Sequence, residues 1–348
     1  MKNTLLSICI PTYNRGNFLN ETIESVVLQI TDDIKDKVEL CISDNASTDN
    51  TDEIIEKWKK KSPIHIVYHK NEENLGPDRN YLKVIEIANG KYCWLLGSDD
   101  KLKEGSIERI LNELKEECDI YLCNRIDCDF NMRPVRVSYF LDRKVNDKVF
   151  DFLNKEDFKF YLKNARLLES FFTYLSSVIF LKDKWDKVLL DSRFIGTGYP
   201  HVFKLMSFFY LDSNFKVKYI KEPLVFFRSG NDSFLEGRGV VGRFLLDLNA
   251  WEMLADNFLK EEDYRKLFLR VFLSHYRWMN ILKILAYVYR DVSKEYNDKD
   301  IIRKVEGFGL NKYFLCFLAL CAKILSYKID FLVTLKKKLI KMSFLIIF

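Results

Sequence analysis

The sequence predicts an α/β fold with a Rossmann-like, mostly parallel sheet that is flanked by helices and followed by a helical C-terminal region. Two observations predict it. Short apolar runs alternate with segments of helical period over the first 110 residues, and the pattern after residue 243 is mainly helical. Strands that alternate with helices form parallel sheets with right-handed crossovers. The chain has 348 residues, 48% of them hydrophobic, which is enough for about two domains and excludes a disordered chain.

The first part of the chain is predicted to contain four buried strands and three amphipathic helices. The strands are the apolar runs 5–10, 38–42, 64–69 and 92–96, and the helices are 17–29, 51–60 and 78–88. Such continuous apolar runs are typical of strands that are buried on both faces. The later part is less regular, with strands expected at 119–124, 175–181 and 219–227, and loop and hairpin structure at 125–150.

Charge and cysteine content limit the class of protein. A net charge of +5 and a pI near 8.6 fit contact with a phosphate-bearing substrate or an anionic membrane, but are too weak to indicate nucleic-acid binding. The eight cysteines include no C-x-x-C pair and no zinc-type spacing, so we expect reduced core thiols and a reducing cytoplasm. The first apolar run stops at Pro11, which is too short for a signal peptide.

The last segment, residues 310–348, has a composition of its own. Tyr313–Leu325 and Met342–Phe348 are almost entirely apolar, and lysines lie between them. Neither run is long enough to span a bilayer, whereas lysines among apolar residues are typical of a helix in the headgroup region. We therefore expect an amphipathic tail that associates with the membrane surface. A helix that docks on the globular body, or a dimer contact, is the alternative.

Polar residues follow each of the first four predicted strands. They are the runs Pro11–Arg15, Ser43–Asn50, Asn74–Asn80 and Gly97–Asp100. Ligands of parallel sheets bind beyond the carboxyl ends of the strands, so four such ends predict a binding site. The chain has no G-x-G-x-x-G after the first strand and no G-x-x-x-x-G-K-[ST], which argues against dehydrogenase-type or P-loop nucleotide binding.

The residue types at these strand ends indicate their chemistry. Asp99 and Asp100 are adjacent carboxylates that suit Mg²⁺ or Mn²⁺, although a solvated turn that caps the next helix would look the same. Asp44 can accept hydrogen bonds from a base edge or form an Asx-turn. Arg79 can bind a phosphate or remain solvated, and Tyr13 can stack on a base.

Together these runs resemble family 2 glycosyltransferases with the GT-A fold. The similarity covers about the first 115 residues closely and rests on the runs Ser7–Arg15, Ser43–Asp49, Asn74–Gly76 and Leu96–Asp100. The remaining chain resembles the abequosyltransferase-type branch that works in O-antigen assembly. That narrower resemblance rests on the runs Cys123–Arg125, Phe194–Gly198 and Gly230–Glu236.

The resemblance implies a site for a nucleoside-diphosphate sugar and a divalent metal ion, Mg²⁺ or Mn²⁺. The implied metal ligands are Asp99 and Asp100, where Gly97 replaces the first acidic residue of the usual D-x-D-D. Thr12, Tyr13 and Asp44 would hold the nucleobase and ribose. The complete implied donor set is Pro11, Thr12, Tyr13, Arg15, Asp44, Asn45, Arg79, Ser98 and Asp99.

The resemblance also implies a general base in an acidic pair that leads into a helix. Residues 196–203 lack that pair, and His201 falls where the Asp would be. A neutral imidazole can accept a proton near pH 7, so His201 is the predicted base and Asp191 is the second candidate. The alternative is a helix-start histidine that only hydrogen-bonds the acceptor or a carbonyl.

The expected function is metal-dependent, inverting transfer of a sugar to a hydroxyl of a lipid-linked glycan, at the cytoplasmic face of the membrane. Residues 1–240 would form the GT-A domain, with a nucleotide-sugar half (1–115) and an acceptor half (116–240), and 241–348 a helical region. Arg228, Asp232 and Glu236 would bind the acceptor, unless they belong to a charged surface loop. A nucleotidyltransferase and a non-catalytic sugar-nucleotide-binding scaffold are the rival functions.

Overall fold

The computed structural model describes residues 4–211, 213–231, 233–290 and 296–326, without the side chains of 233–237. The chain divides into two compact units. The first unit consists of residues 1–232 and 256–258, and the second of 233–255 and 259–348. The sheet lies in the first unit, and the described part of the second is helical.

The first four strands form a parallel sheet in the order β3-β2-β1-β4. They are β1 (Leu6–Thr12), β2 (Val38–Asp44), β3 (Ile66–Lys70) and β4 (Tyr92–Leu95), and they are linked by α1 (Gly16–Val27), α2 (Thr51–Lys61) and α3 (Pro77–Glu86). Every residue of β1 and β2 is buried, as their continuous apolar runs predict. The carboxyl ends of these strands therefore meet at one edge.

The remaining strands extend the sheet on the far side of β4, in the order β4-β9-β6-β10-β5, with β7 paired to β6 and β8 paired to β10. They are β5 (Lys101–Leu102), β6 (Ile120–Cys128), β7 (Pro134–Ser138), β8 (Lys148–Asp151), β9 (Val178–Leu181) and β10 (Lys216–Arg228). The helices of this part are α4 (Ser106–Glu113), α5 (Lys155–Asn164), α6 (Lys182–Lys187) and α7 (Pro200–Met206).

Strand direction decides which residues reach the ligand-binding edge. β9 is antiparallel to both β4 and β6, and β10 is parallel to β6. The amino end of β9 therefore lies at the same edge as the carboxyl ends of β4, β6 and β10. The predicted α/β class is confirmed, and the sheet, which was expected to be mostly parallel, is mixed.

The predicted elements differ from the observed ones mainly in the later part of the chain. β6 continues to Cys128 and forms a hairpin with β7, inside the region expected to hold loop and hairpin structure. The predicted strand 175–181 begins with a 3₁₀ turn, Leu175–Ser177, and only its last four residues are extended. Six cysteines are buried as predicted, whereas Cys316 is exposed and Cys321 is partly exposed.

The second unit is built from helices. They are α8 (Ser233–Phe258), which is broken at Gly239, followed by α9 (Glu262–His275), α10 (Trp278–Arg290), α11 (Asp298–Gly307) and a helical segment at 312–326. Trp251 stacks on Phe268 in its core, with the ring centroids 4.1 Å apart. Within the described ranges, no helix combines the length and apolar character needed to cross a membrane. The predicted tail beyond residue 326 lies outside the described residues.

Candidate active site

The loop that follows β1 is fastened to the loop that follows β2. Asn14 has a left-handed backbone conformation, with φ 50°. Its backbone N–H donates to Ser47 Oγ at 2.8 Å, and its side-chain oxygen accepts from the Thr48 N–H at 2.8 Å. Tyr13 lies just before it and is 43% exposed. Tyr13 is therefore an exposed aromatic residue on a loop that hydrogen bonds hold in place.

Asp44, the last residue of β2, is completely buried. Its Oδ1 accepts from the Ser47 N–H at 2.9 Å, and its Oδ2 accepts from the Tyr68 hydroxyl at 3.1 Å. Lys70 Nζ lies 3.9 Å from the same Oδ2. Burial, reinforced by the carboxylates of Asp52 and Asp44, raises the pKa of Tyr68 far above its usual value. Tyr68 therefore stays protonated and remains a donor to Asp44.

A cluster of asparagines joins the ends of β1 and β2. The Asn80 side-chain amide donates to the carbonyls of Thr12 at 3.2 Å and Ser43 at 3.1 Å. Asn45 Oδ1 accepts from Asn71 Nδ2 at 3.0 Å. These contacts make Asn45 part of the frame of the site, because its side chain is buried and already paired.

Asp99 brings three separate loops together. Its Oδ2 accepts from Arg15 Nη1 at 2.5 Å and from Asn231 Nδ2 at 2.7 Å. Arg15 Nη2 also donates to the backbone oxygen of Asn231 at 3.1 Å. The loops after β1, β4 and β10 therefore converge on one carboxylate. Among the described residues, the other oxygen of Asp99 accepts no hydrogen bond.

Asp100 lies behind this point and is turned into the protein. Its Oδ2 accepts from the Tyr174 hydroxyl at 2.7 Å and from Ser176 Oγ at 2.5 Å, and its Oδ1 accepts from the Arg228 N–H at 3.2 Å. Burial, followed by the neighbouring charge of Asp99, raises the pKa of Asp100 to about 7. Because its oxygens are buried and paired with these donors, the structure argues against Asp100 as a metal ligand.

The structure explains why glycine occupies position 97. A Cβ atom added there would lie 2.9 Å from Asp100 Oδ2, and 3.3 Å from both Asp99 Oδ1 and Ser176 Oγ. The Gly97 N–H donates to Ser176 Oγ at 2.9 Å. A larger side chain at position 97 would therefore meet Asp100 and Ser176, the residue two positions before β9.

Arg228, predicted to bind the acceptor, belongs to the frame instead. It is 4% exposed, and its guanidinium donates to the backbone oxygens of Asp99 at 3.0 Å and Phe130 at 2.7 Å. Its remaining nitrogen pairs with Glu21 at 2.9 Å. These contacts argue against Arg228 as an acceptor ligand, because its donors are already bound within the protein.

His201, the predicted base, is 2% exposed on α7 and meets the ring of Tyr81 edge-on, with centroids 6.1 Å apart. Burial lowers the pKa of His201 to about 4, against the opposite effect of the Thr173 and Phe172 carbonyls. The structure corrects this prediction, because an imidazole sealed inside the protein cannot reach an acceptor hydroxyl.

Asp191, the second candidate base, also has a local role. Its side chain accepts from the Arg193 N–H at 2.9 Å and forms an ion pair with the Arg193 guanidinium at 2.5 Å. This pairing lowers the pKa of Asp191, which makes it a weaker proton acceptor. In the part of the chain that the structure describes, no hydrogen bond or ion pair links Asp191 to the residues around Asp99.

The other predicted residues are placed as follows. Pro11 and Thr12 are buried in β1, Ser98 is buried after β4, and Arg79 is exposed in the first turn of α3. Asp232 and the side chain of Glu236 lie outside the described residues.

Sequence reasoning missed Tyr174, Ser176 and Asn231. Tyr174 and Ser176 precede β9, and only its antiparallel direction brings them to the carboxyl end of β4. Asn231 follows β10 in the run Gly230–Glu236, in which only Asp232 and Glu236 were predicted to bind a ligand. The sequence does show polar residues just before the apolar run of β9. They point to the binding edge only if the direction of that strand is known.

The carboxylates at this edge suit a divalent ion only if a substrate supplies further ligands. In the described residues, no group of three or more His, Cys, Asp or Glu side chains could hold a metal ion. Mg²⁺ and Mn²⁺ sites in which one or two carboxylates are completed by phosphates and waters are common. Asp99, with one unpaired oxygen at the edge, fits such a site, and Asp100 does not.

The fold is a mixed sheet with helices around it, and the loops after β1, β2 and β4 meet at one edge beside the carboxylates of Asp44 and Asp99. Residues 7–188 match the family described as "Glycosyl transferase family 2". Over 319 residues, the chain is 38% identical to abequosyltransferase RfbV of Salmonella typhimurium, covering 89% of this chain and 95% of RfbV. The chain therefore belongs to glycosyl transferase family 2 and is a glycosyltransferase.

Other similarities are more partial. Over 113 residues, the chain is 34% identical to a putative teichuronic acid biosynthesis glycosyltransferase, TuaG of Bacillus subtilis, covering 32% of this chain and 42% of TuaG. Among solved structures, S. aureus TarS 1–349 matches with a TM-score of 0.63 at 15% identity, over 92% of this chain and 89% of TarS 1–349. A mannosyltransferase from Pyrobaculum calidifontis, solved with GDP-Man and Mn²⁺, matches with a TM-score of 0.53 at 13% identity, over 93% and 86% of the chains. At these identities, the two structures support the fold alone.

Proposed function

We propose that this glycosyltransferase moves a sugar from a nucleoside-diphosphate sugar to a hydroxyl of a lipid-linked glycan, with inversion, during assembly of a surface polysaccharide of the O-antigen or capsule type. The observation that carries the proposal is the set of hydrogen bonds that joins the strand ends. Asn14 links the loops after β1 and β2, and Arg15 links the loops after β1 and β4. The similarity to abequosyltransferase RfbV over nearly the whole chain supports transfer of a sugar, and the partial similarity to TuaG, described as a putative teichuronic acid biosynthesis glycosyltransferase, supports the polysaccharide context.

The donor would lie along this edge, in the half formed by residues 1–115. Each oxygen of Asp44 accepts one hydrogen bond, whereas Asp100 accepts three, so Asp44 retains the capacity to accept a further hydrogen bond from the nucleobase. The exposed ring of Tyr13 would stack on the base. The exposed guanidinium of Arg79 would bind a phosphate, a role for which its planar donors are suited. Pro11, Thr12 and Ser98 would form the floor of the donor site, since they are buried at the ends of β1 and β4.

We assign Asp99 as the protein ligand of a divalent ion, Mg²⁺ or Mn²⁺, which binds together with the donor diphosphate. Such an ion would neutralise the charge that develops on the departing diphosphate. Asp100 would position Asp99 rather than bind the ion. Arg228 supports the same segment, because it donates to the Asp99 carbonyl and to the Asp100 side chain.

In the proposed reaction, the acceptor hydroxyl attacks the anomeric carbon as the bond to the diphosphate oxygen breaks. The hydroxyl proton passes to a base, and attack from the opposite face inverts the anomeric configuration. His201 does not serve as this base, because it is buried with a lowered pKa. Its contribution is to the packing of α7 on α3.

A ligand screen followed by a turnover assay tests the function. UDP, CDP, GDP and dTDP are compared by thermal shift with Mn²⁺, Mg²⁺ or EDTA, because a ligand of the folded state raises the apparent stability. The sugar nucleotides of the stabilising diphosphate are then assayed for hydrolysis and for transfer to lipid-linked glycans. We expect metal-dependent stabilisation by one nucleotide and release of its diphosphate.

Two results would contradict the proposal. Binding of a nucleotide without turnover of any donor would favour a scaffold. Formation of a sugar nucleotide from a nucleoside triphosphate and a sugar phosphate, with release of pyrophosphate, would favour a nucleotidyltransferase.

We also propose that the enzyme is cytoplasmic and binds the inner face of the cell membrane through its C-terminal region. The helical segment 312–326 exposes Tyr313, Phe317, Leu320 and Ile324, which recur on one face of a helix. Single exposed apolar side chains are ordinary, but a contiguous apolar face marks an interaction surface. The lysines of the following segment suit anionic lipid headgroups.

Co-sedimentation with vesicles tests this partner. Full-length protein should pellet with vesicles that contain phosphatidylglycerol and less with pure phosphatidylcholine. The double variant Phe317→Glu/Leu320→Glu should lose binding, whereas Leu189→Glu should not, because Leu189 is an exposed apolar residue of the other unit. Wild-type protein that stays in the supernatant with both vesicles would refute the membrane proposal.

A further inference from the structure

Asp78 joins two parts of the first unit that are far apart in the chain. It is the second residue of α3 and is 4% exposed. Its Oδ2 accepts from the backbone N–H groups of Gly196 at 2.7 Å and Gly198 at 3.0 Å. One carboxylate oxygen in the nucleotide half therefore holds the turn that immediately precedes α7.

Both the start of α3 and the glycine turn stabilise a carboxylate at position 78. A carboxylate in the first turn of a helix is stabilised by the helix dipole, and hydrogen bonds to an ionised acceptor are stronger than neutral ones. Gly196 and Gly198 have left-handed backbones, with φ 87° and 76°. Glycine adopts this conformation without strain and lets both N–H groups of the turn point to one oxygen.

The two ends of this link have different neighbours. Two residues after Asp78, Asn80 donates to the carbonyls at the ends of β1 and β2. On the other side, the turn 196–198 leads directly into Pro200, the first residue of α7. Asp78 therefore helps to fix the turn beside the strand ends, together with the edge-on contact between His201 and Tyr81.

We propose that Asp78 is a positioning residue for glycosyl transfer, which holds the 196–198 turn at the distance from the donor-binding edge that the acceptor requires. This inference rests on the proposed function. Asp78 touches neither reacting group and acts through the turn. Its removal should therefore harm transfer to an acceptor more than binding or hydrolysis of the donor. Transfer alone needs the acceptor to be aligned with the bound donor.

Hydrogen exchange tests the structural part of this proposal without any substrate. In Asp78→Ala, the amides of Gly196 and Gly198 should exchange faster, while those of residues 44–47 keep their protection. Asp119→Ala is the matched control. Asp119 is also a buried carboxylate that accepts from a distant backbone N–H, that of Lys216 at 2.7 Å. It pairs in addition with Lys184 at 2.8 Å, which makes its removal the harsher change, and it precedes β6 at the opposite edge. Unchanged protection at 196–198 in Asp78→Ala would overturn the proposal.

Kinetics test the functional part, with the sugar nucleotide that turns over in the screen described above. Asp78→Ala should lower the ratio of transfer to hydrolysis roughly 10- to 100-fold and leave the donor KM nearly unchanged. Asp78→Asn keeps an acceptor oxygen and should recover most of the ratio, whereas Asp119→Ala should leave it unchanged. A proportional fall of transfer and hydrolysis in Asp78→Ala would show a merely structural role. A wild-type enzyme without turnover would instead refute the proposed function and leave exchange to decide the link.

Discussion

The two halves of the first unit differ in how their polar residues are used. After β1 and β4, Tyr13 and Asp99 keep exposed atoms on loops that hydrogen bonds hold in place, whereas Asp44 at the end of β2 is buried. In the part of this unit that begins at residue 116, the two predicted bases make their contacts within the protein. His201 is buried, and Asp191 is paired with Arg193.

This difference shows what a strand end can and cannot indicate. In residues 1–115, consecutive parallel strands direct the loops that follow them to one edge, so a polar residue there has a defined place. From residue 116 onwards, strands of both directions and short 3₁₀ turns intervene, so that sequence position no longer indicates the edge.

The sharpest contrast is between the adjacent carboxylates Asp99 and Asp100. Asp99→Asn should lower kcat/KM at least about 100-fold, because charge stabilisation by a metal ion amounts to several kcal/mol. Asp100→Asn should mainly reduce stability, by about 1–3 kcal/mol, because an amide nitrogen would face donors in place of an acceptor. Isothermal titration of Mn²⁺ in the presence of the nucleoside diphosphate separates the two. Equal loss of Mn²⁺ affinity in both variants would show that Asp100 is also a ligand.

The next largest effect concerns donor binding at the end of β2. Asp44→Ala should raise the donor KM roughly 10- to 100-fold, since hydrogen bonds to charged groups contribute about 1.5–3 kcal/mol. Tyr68→Phe removes one donor to Asp44 and should raise it only about 5-fold. Initial-rate kinetics at saturating acceptor measure both. A larger effect of Tyr68→Phe than of Asp44→Ala would contradict the assignment of Asp44 to the base.

Position 97 tests the packing behind the site. Gly97→Ala should lower the free energy of unfolding by about 1–3 kcal/mol, because the new Cβ would lie 2.9 Å from the bound Asp100 Oδ2. Gly307→Ala, with open space around the added Cβ, is the control and should lose nothing. Urea unfolding measures both variants. If Gly97→Ala were as stable as the wild type, the explanation for the missing acidic residue would fail.

The smallest effect on transfer is expected at His201, where His201→Phe should leave kcat at the wild-type level. Its stability should depend less on acid. The folded-state pKa of about 4 lies below the unfolded value of 6.5, so the unfolded chain alone binds the proton between these values. The wild type therefore loses stability as the pH falls from 6.5 to 4, and the variant lacks this part of the loss. Unfolding free energies at pH 7.5 and 5 check it, and a large fall in kcat would restore His201 as the base.

The strand ends in residues 1–115 could be predicted because local patterns suffice there. Apolar runs of five or six residues identify the buried strands, and alternation with helices makes neighbouring strands parallel. This rule places Tyr13, Asp44 and Asp99 at one edge of the sheet, where the structure has them. The roles of Asp100 and Arg228 could not be predicted, since sequence position alone does not show whether a polar side chain at a strand end faces a ligand or the interior.

By itself, the sequence determined the α/β class, the first four strands and the edge at which their loops meet, because these features follow from hydrophobic period and chain connectivity. Only the tertiary structure decided that β9 runs antiparallel, that Ser176 fills the space beside Gly97, and that Asp78 holds a turn 118 residues away. These outcomes depend on contacts between segments distant in the chain. Such contacts are selected by packing and hydrogen bonding in the folded state, which local sequence does not encode.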